Sequence, residues 1–302
     1  MSKWLWLFLI TLCWIGAGLV ISGLPKTQNG FDTALPVRAN RIVSMAPNLT
    51  EIMFALGLGD RVVGVTLDSD YPPAALSKAK VGTFWQPSIE AVIAARPELV
   101  ITLGFHQQKS LAERLERMGY DCLSLDIEKV DGFFEAVGKI GSATGMPDEA
   151  DELQAGISKR LDNLADSVGK DTPVRVLWVV QRQPLRVAGR DTFVNEMLEL
   201  AGGENAIGPT LHKYPPIGAE QIITCRADVI IEPAMGEKDL NGQTRDAREY
   251  WSKFRNLPAV RDGRVYVIDG DTVSRLGPRL YEGVEAIARC LRPHLFENLS
   301  NE

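Results

Sequence analysis

The sequence predicts an α/β fold of two similar lobes, each built on a parallel sheet, with a single long helix joining them. Three observations support this prediction: a segment that occurs twice, strand and helix patterns that alternate in both halves, and a helical stretch between the halves. The two copies of the segment are residues 88–104 and 218–234, and gapless alignment places Glu90 on Glu220. Each copy has the pattern of a short helix followed by a buried strand. Two similar lobes in turn imply a cleft between them.

The first lobe is predicted at residues 41–128. Its elements in chain order are a strand at 41–45, a helix at about 49–58, a strand at 61–66, the first repeat copy, a helix at 110–118 and a strand at 122–125. Strands that alternate with helices along the chain are typical of a parallel, doubly wound sheet.

A helical segment without strand signals follows at residues 129–172. Its first predicted helix, at about 132–143, ends at Gly145, and a second helix runs from Pro147 to about Val168. The second helix has an apolar face formed by Leu153, Ile157, Leu161 and Leu164. Its length of about 30 Å, at roughly 1.5 Å per residue, is sufficient to join two lobes. An ordinary crossover helix within one large sheet is the alternative.

The second lobe is predicted at residues 173–296. It starts with the nearly continuous apolar run 174–180, which is typical of a central strand in a parallel sheet. The further elements are a helix at 192–201, the second repeat copy, a helix at 249–254, a strand at 264–268 and a terminal helix at 278–291. The two lobes therefore match in the order of their elements.

Residues 1–24 form a separate N-terminal segment, in which no charge occurs between Trp4 and Leu24. That length can span a bilayer and exceeds the usual apolar core of a cleavable signal. A signal peptide and a retained N-terminal membrane anchor therefore both stay open, with residues 25–40 as a spacer. A lipoprotein is disfavoured because Cys13 lacks the small residue that should precede it. Either alternative places the rest of the chain in the periplasm or another extracytoplasmic compartment, tethered to the inner membrane if the segment is retained.

The charge and the cysteines narrow the function classes. A formal net charge of −6 argues against non-specific binding of nucleic acid, which depends on neutralising phosphates. Beyond Cys13, the cysteines have spacings typical of neither a disulfide framework nor a metal site. They are Cys122, Cys225 and Cys290. We interpret Cys122 as a small buried residue, and a Cys225–Cys290 disulfide stays open as an alternative.

Signatures of catalysis are absent from the sequence. There is no nucleophile elbow, P-loop, zinc-protease motif or dinucleotide-binding glycine fingerprint. We therefore expect no enzyme, no catalytic residue, and no metal or cofactor that belongs to the protein itself. The alternative is an exported α/β enzyme that uses Asp68, Asp70 and His106.

Two aromatic residues occupy matching places in the two lobes. Trp85 and Gln86 precede the first repeat copy, and Tyr214 precedes the second. We expect the two rings to face each other across the cleft, where they would suit a bulky, planar or ring-rich ligand. The alternative is that each ring packs against its own lobe.

Six motifs occur in order along the chain. They are Arg-Ile-Val-Ser-Met-Ala-Pro-Asn-Leu-Thr-Glu from residue 41, Ser-Asp-Tyr-Pro-Pro from 69, Trp-Gln at 85, the Ile-Glu-x-Val-Ile…Arg-Pro-Glu-Leu-Val-Ile run from 89, Ala-Gly-Gly-Glu-Asn from 201 and Ser-Arg-x-Gly-Pro-Arg from 274. Together they resemble the substrate-binding proteins of ABC importers for cobalamin, ferric siderophores and haem, over about residues 40–293. The resemblance implies two Rossmann-like lobes joined by one rigid spine helix, with modest closure.

The resemblance also implies a function, that of a receptor that captures a metal-chelate nutrient and delivers it to an ABC permease and its ATPase. We expect a monomer whose ligand is a cobalt corrinoid or an iron chelate. The corrinoid is favoured, and a ferric siderophore or haem is the alternative. The cobalamin-binding members resemble the chain most closely, since Trp85 matches a pocket tryptophan there and Tyr214 stands in place of another. The chain departs from them at Asp68, Leu103 and Arg186, where those members have aromatic residues.

The predicted ligand-binding residues combine these matches with the loops around the cleft. They are Met45, Pro47, Asp68, Tyr71, Trp85, Gln86, His106, Arg186, Tyr214 and Arg275. Arg186 and Arg275, together with Arg190, could bind an anionic group of the ligand. Alternatively, these arginines are solvated or form internal ion pairs.

The two glutamates of the repeat have a separate predicted role. By resemblance, Glu90 and Glu220 would each dock one lobe onto arginines of the permease. Both lie in the first turn of a predicted helix, where the helix dipole stabilises a carboxylate without any partner. Two exposed carboxylates at equivalent places would nevertheless form a two-point electrostatic contact.

Overall fold

Two separate five-stranded sheets form the centres of two lobes in the computed structural model, as predicted. The described residues are 39–169, 172–234, 236 and 239–296, and all of them belong to one compact unit. The predicted signal peptide or anchor at 1–24 and most of the predicted spacer lie outside the described residues. None of the helices in the described part is long and apolar enough to cross a membrane.

The first sheet is parallel throughout. Its strands are β1 (Ile42–Ser44), β2 (Val62–Val65), β3 (Ala79–Lys80), β4 (Leu99–Leu103) and β5 (Cys122–Leu125), in the order β3-β2-β1-β4-β5. The central strands β1 and β4 are buried on both faces. Ile42 and Ile101 contribute to one core cluster, whereas Val43 and Val100 contribute to another. Burial on both faces is the reason that these strands read as apolar runs.

Three helices belong to this lobe. They are α1 (Pro47–Ala55), α2 (Ile89–Ala94) and α3 (His106–Arg117). The predicted start of α3 at residue 110 is wrong, because the helix begins at His106. Residues 106–109 are polar and give no apolar helical pattern, so the sequence does not indicate this start. One of them, Gln108, is nevertheless completely buried.

Helices α4 (Val130–Thr144) and α5 (Pro147–Val168) connect the lobes, as predicted. Gly145 ends α4 in a left-handed conformation, with a φ of 72°, which glycine adopts at low cost. The apolar face of α5 is buried through residues that include Ile157 and Leu161. Two separate sheets exclude a crossover helix within one large sheet. The residue limits of the lobes and of the linking segment stay a prediction.

The second sheet differs from the prediction at one edge. Its strands are β6 (Val174–Arg182), β7 (Leu185–Val187), β8 (Gly203–Asn205), β9 (Val229–Pro233) and β10 (Val265–Ile268), in the order β10-β9-β6-β7, with β8 beside the start of β6. All pairs are parallel except β6 with β7, where Gln181 pairs with Arg186. The second sheet is therefore parallel, as predicted, apart from the short strand β7, which the sequence does not predict. A hairpin strand of this length is too short to give a periodic signal of its own.

The helices of the second lobe surround this sheet. They are α6 (Phe193–Leu200), α7 (Ala219–Thr224), α8 (Leu240–Trp251), α9 (Pro258–Arg261), α10 (Gly270–Ser274) and α11 (Leu280–Leu291). Helix α8 begins at Leu240 rather than near residue 249, so that part of the prediction is wrong. Helix α11 packs against α5 and α6.

The repeat is preserved in the backbone of both lobes. Arg96 and Arg226 follow α2 and α7, and both have a positive φ of 47°. In the first lobe, Arg41 donates from Nε to the Arg96 carbonyl oxygen at 2.8 Å. In the second lobe, Arg175 donates from Nη2 to the Cys225 carbonyl oxygen at 3.0 Å. An arginine near the start of each central strand thus satisfies a carbonyl that the end of the repeat helix leaves open.

The three cysteines of the described chain are separate thiols, so the structure contradicts the alternative of a Cys225–Cys290 disulfide. Cys225 donates from Sγ to the Ile222 carbonyl oxygen at 3.1 Å. Burial raises the pKa of Cys122 and of Cys290 to about 12. Both thiols are therefore protonated and unreactive at neutral pH.

Candidate functional site

Trp85 lies at the tip of a tight loop between β3 and α2. The loop is closed by Thr83, whose N–H donates to the Gln86 carbonyl at 3.1 Å and whose Oγ1 accepts from the Gln86 N–H at 2.9 Å. Gly82 begins the turn with a φ of 101°, and a Cβ there would lie 2.6 Å from the Gln86 oxygen. The turn leaves the Trp85 side chain 66% exposed, with the predicted ligand contact Gln86 beside it.

Three aromatic rings form a cluster at this loop. The centroids of Phe84 and Trp85 are 4.8 Å apart, those of Phe84 and Phe105 5.1 Å, and those of Trp85 and Phe105 6.0 Å. We name these residues the aromatic cluster. Phe84 and Phe105 are not among the predicted ligand-binding residues. Their signal is positional, since Phe105 follows the carboxyl end of β4, where ligands of open α/β sheets bind.

Two side chains hold the backbone of the aromatic cluster. Asp68 accepts from the Phe84 N–H at 2.7 Å through Oδ2. The buried Gln108 donates to the carbonyl oxygens of Met45 and Phe84 at 2.6 and 3.5 Å. Its Oε1 accepts from the Leu103 N–H at 2.8 Å. Gln108 therefore ties the ends of β1 and β4 to the aromatic loop.

The predicted contacts at the start of α1 have different positions. The Met45 side chain is completely buried in the core cluster of Val43 and Val100 and offers no exposed surface to a ligand. Its predicted ligand contact stays a prediction. Pro47 is the first residue of α1 and is partly exposed.

Tyr214 lies in the corresponding loop of the second lobe, between β8 and α7. Its half-buried ring packs against the main core cluster, and burial raises the pKa of its phenol. Arg186 donates from Nη1 to the Tyr214 carbonyl oxygen at 3.2 Å. The Trp85 ring therefore contacts its own lobe, whereas the cluster beneath Tyr214 contains residues of both lobes, such as Ile42 and Val176. The prediction that Trp85 and Tyr214 enclose a ligand stays a prediction.

Arg275 and Tyr71 belong to an ion network between the lobes. Arg275 pairs with Asp70 at 2.6 Å and Asp271 at 3.0 Å, and its guanidinium lies 3.8 Å from Glu51. Arg279 donates to both Glu51 oxygens, at 2.6 and 2.8 Å, and its guanidinium lies 4.3 Å from the Tyr71 ring centroid. We name the five ionised residues the interlobe network. The alternative of internal ion pairs holds for Arg275.

A second set of contacts joins the lobes beside Tyr214. Lys213 pairs with Glu128 at 2.7 Å, and Lys129 pairs with Asp191 at 3.0 Å.

The three residues of the enzyme alternative, Asp68, Asp70 and His106, have different surroundings. Asp68 binds the Phe84 backbone and Asp70 pairs with Arg275. His106 is exposed at the start of α3, next to the aromatic cluster. Within the described residues, no group of three or more acidic, histidine or cysteine side chains could hold a metal ion.

The repeat glutamates lie at equivalent positions in the first turns of α2 and α7. Glu90 and Glu220 are both exposed. Hydrogen bonds from its own backbone and from Ser88, the latter at 3.1 Å, lower the pKa of Glu90. The carboxylates are therefore displayed to solvent on both lobes, as docking requires.

Comparisons with known proteins give the chain its family. The family described as periplasmic binding protein matches residues 42–272. An uncharacterised ABC transporter substrate-binding lipoprotein of Bacillus subtilis is 32% identical over 276 residues, which cover 88% of this chain and 84% of the relative. The vitamin B12-binding protein of Vibrio cholerae is 26% identical over 262 residues, covering 86% of this chain and 91% of the relative. A solved periplasmic heme-binding protein of Pseudomonas aeruginosa has a TM-score of 0.72 at 28% identity, covering 84% of this chain and 93% of that chain. The chain belongs to the periplasmic binding protein family, as its six motifs predict.

Proposed function

We propose that the protein is a receptor that binds a bulky metal chelate between its lobes and passes it to an ABC permease. The observation that carries the proposal is the aromatic cluster, in which Trp85 is largely exposed. The cluster lies outside the carboxyl ends of the first sheet, where ligands of such sheets bind. Aromatic faces give large contact areas with little loss of side-chain entropy. Tyr214 would complete the site from the second lobe.

A cobalt corrinoid is the favoured ligand. Vitamin B12-binding proteins of several bacteria are among the relatives. The arginines that would favour a strongly anionic ligand are already engaged. Arg275 faces three carboxylates, and Arg186 binds the Tyr214 carbonyl. Arg190 likewise donates to the Ile207 carbonyl oxygen at 3.1 Å. These contacts weaken the case for an ion pair with haem carboxylates or a charged catecholate.

An iron chelate is the second candidate ligand. The Pseudomonas aeruginosa relative is named a heme-binding protein, and a Staphylococcus epidermidis relative with 28% identity is named a possible iron-binding protein. The aromatic cluster would suit a porphyrin as well as a corrin ring.

The receptor function implies an extracytoplasmic location and no chemical conversion of the ligand. We further propose that Glu90 and Glu220 contact the permease, and that the receptor acts as a monomer. Whether residues 1–24 are cleaved decides between a free receptor and one tethered to the membrane, and mass spectrometry of the mature protein would distinguish the two.

The function is tested by titrating the purified protein with cyanocobalamin, haemin and a ferric catecholate, following ligand absorbance and tryptophan fluorescence. We expect cyanocobalamin to bind. We expect Trp85→Ala to weaken that binding by about tenfold or more, equivalent to about 1.4 kcal/mol.

Met118→Ala is the matched control, since Met118 is 54% exposed at the far end of α3. It should leave the affinity unchanged. Binding of haemin but not of cyanocobalamin would replace the corrinoid with haem. Binding of none of the three ligands would refute the proposed function.

A further inference from the structure

Two charged residues near the predicted cleft bind the backbone of the loops that carry the aromatic rings. We propose that Asp68 and Arg186 are positioning residues, which hold the loops of Trp85 and Tyr214 in place instead of contacting the ligand. The proposal rests on the proposed function, because it concerns how the two predicted ligand-stacking rings are presented.

In the first lobe, the carboxylate of Asp68 restrains the peptide that precedes Trp85. Its Oδ2 accepts from the Phe84 N–H at 2.7 Å, which is a short, charge-assisted hydrogen bond. The neighbouring Leu67 N–H donates to the Gly82 carbonyl at 2.8 Å, so the segment of Asp68 is aligned with the start of the turn. The carboxylate therefore fixes the orientation of the aromatic tip relative to the end of β2.

The carbonyl group of Phe84 is held by a neutral side chain, that of Gln108. Gln108 donates to the Phe84 carbonyl oxygen at 3.5 Å and more closely to that of Met45 at 2.6 Å. The longer bond is the weaker of the two. Asp68 is therefore the main polar restraint on the Phe84 backbone. Its removal should loosen the position of the aromatic cluster.

In the second lobe, the loop after Tyr214 has few groups by which it can be held. Pro215 and Pro216 have no N–H, so this stretch offers only carbonyl oxygens. The Tyr214 oxygen accepts from Arg186 Nη1 at 3.2 Å, and the Pro215 oxygen accepts from the Val187 N–H at 3.2 Å. The Ile217 N–H also donates to the Leu185 carbonyl oxygen at 3.1 Å, so this loop pairs with β7 on both sides of Arg186.

The charges of the two residues match the groups that the loops offer. A carboxylate accepts from the free N–H of the first loop, and a guanidinium donates to the free carbonyl of the second. This explains why two charged residues of opposite sign stand near a site dominated by aromatic rings. Neither charge then requires an opposite charge on the ligand.

The first test needs no ligand and follows amide hydrogen exchange in the purified full chain. Asp68→Ala should speed exchange of the Phe84 amide by tenfold or more, whereas Asp68→Asn should not, because its amide oxygen still accepts the bond. Arg186→Ala should speed exchange of the Val187 and Ile217 amides.

Matched controls come from exposed residues without polar contacts. Asp60→Ala and Arg245→Ala remove the same charges from exposed positions, where the described residues make no hydrogen bond or ion pair with either side chain. Exchange rates in both loops should equal those of the wild type. If Asp68→Ala and Arg186→Ala behave like these controls, the proposal is wrong.

The second test measures affinity for cyanocobalamin, haemin and a ferric catecholate. We expect Asp68→Ala to weaken binding by about tenfold and Asp68→Asn to stay within about threefold of wild type. Equal losses of affinity for the two variants would mean that the ligand interacts with the charge of Asp68. That result would overturn the proposal for this residue.

Salt dependence separates the two possible roles of Arg186. An ion pair between Arg186 and the ligand would weaken at high salt, and the defect of Arg186→Ala would then shrink. A bond to the Tyr214 carbonyl predicts a defect that is the same at low and high salt. If the wild type binds none of the three probes, the proposed function fails, and the exchange rates still decide whether the two residues hold the loops.

Discussion

At the scale of single residues, Glu51 carries the buried charge of the interlobe network. Its side chain is 2% exposed and accepts hydrogen bonds from Arg279 at 2.6 and 2.8 Å. Burial raises the pKa of this carboxyl, although Arg279 and Arg275 oppose the shift. Removal of a carboxylate from water therefore outweighs the attraction of the two arginines.

The raised pKa of Glu51 predicts how the free energy of unfolding depends on pH. The folded protein binds the proton of this group more tightly than the unfolded chain does. Its contribution is therefore fully present below the unfolded pKa and is lost as the pH rises through the folded pKa. We expect the free energy of unfolding of the wild type, minus that of Glu51→Gln, to increase as the pH falls from neutral towards the ordinary glutamate pKa.

Urea unfolding of both proteins across this pH range measures the difference. A difference that shrinks as the pH falls would contradict the prediction. It would show that the arginines lower the pKa of Glu51 more than burial raises it.

The sequence predicts some residues of the candidate site and misses others for a physical reason. Trp85 and Tyr214 are found because they hold matching positions before the two repeat copies. The partners of Trp85 are not found, because its contact with Phe105 depends on how a strand end and a turn meet in space. Asp68 is found as a residue, but only its bond to the Phe84 N–H indicates what it does.

At the scale of elements, α2 and α7 display a carboxylate at the same position on both lobes. Glu90 and Glu220 are exposed in the first turns of these helices. The apolar residues that follow at a spacing of three differ, since Ile223 is 59% exposed whereas Ile93 is partly buried against the core cluster of Val43 and Val100. The two helices thus share exposed carboxylates, which would suit a partner with two basic sites.

Reversal of these charges should disconnect the receptor from its permease without affecting ligand capture. We expect the double variant Glu90→Arg, Glu220→Arg to lower ligand uptake by cells about tenfold or more, because the proposed docking pairs both glutamates with permease arginines, which the introduced arginines would repel. Its affinity for the ligand in solution should equal that of the wild type.

The control is the double variant Glu113→Arg, Glu249→Arg, which makes the same changes at exposed helix positions of the two lobes. Cells that carry it should take up ligand at the wild-type rate. Equal uptake by both double variants would show that α2 and α7 do not dock.

Elements with a long or repeated pattern are predictable from the sequence, and short ones are not. The repeat and the helix Pro147–Val168 both have sustained apolar periodicity and follow the prediction. The hairpin strand Leu185–Val187 pairs back on β6 through contacts that its own sequence does not specify. It is also the element that brings Arg186 to the Tyr214 loop.

At the scale of the whole molecule, the repeat predicts two lobes but does not predict what holds them together. Arg275 and Asp70 are separated by 205 positions and still form an ion pair at 2.6 Å. A neutral contact lies beside them, in which Asn48 donates to the Leu276 carbonyl at 3.1 Å. Contacts of this kind arise from the packing of one lobe on the other, so no local sequence pattern predicts them.

Arg275 is the centre of this junction, and its removal should weaken both the fold and the contact between the lobes. Its side chain is 17% exposed, and its guanidinium faces Glu51, Asp70 and Asp271. In Arg275→Gln these carboxylates lose a shared cation, so the free energy of unfolding should fall by about 2–4 kcal/mol. If cyanocobalamin binds as proposed, its dissociation rate should also rise, because the lobes are held together less firmly. Urea unfolding and stopped-flow release measure the two effects.

The control Arg289→Gln breaks a surface pair with Glu285 within α11 and a contact of the guanidinium with the Phe296 ring, whose centroid lies 4.6 Å away. It should cost only about 0.5–1 kcal/mol. If Arg275→Gln costs no more than this control, the interlobe network does not hold the lobes together.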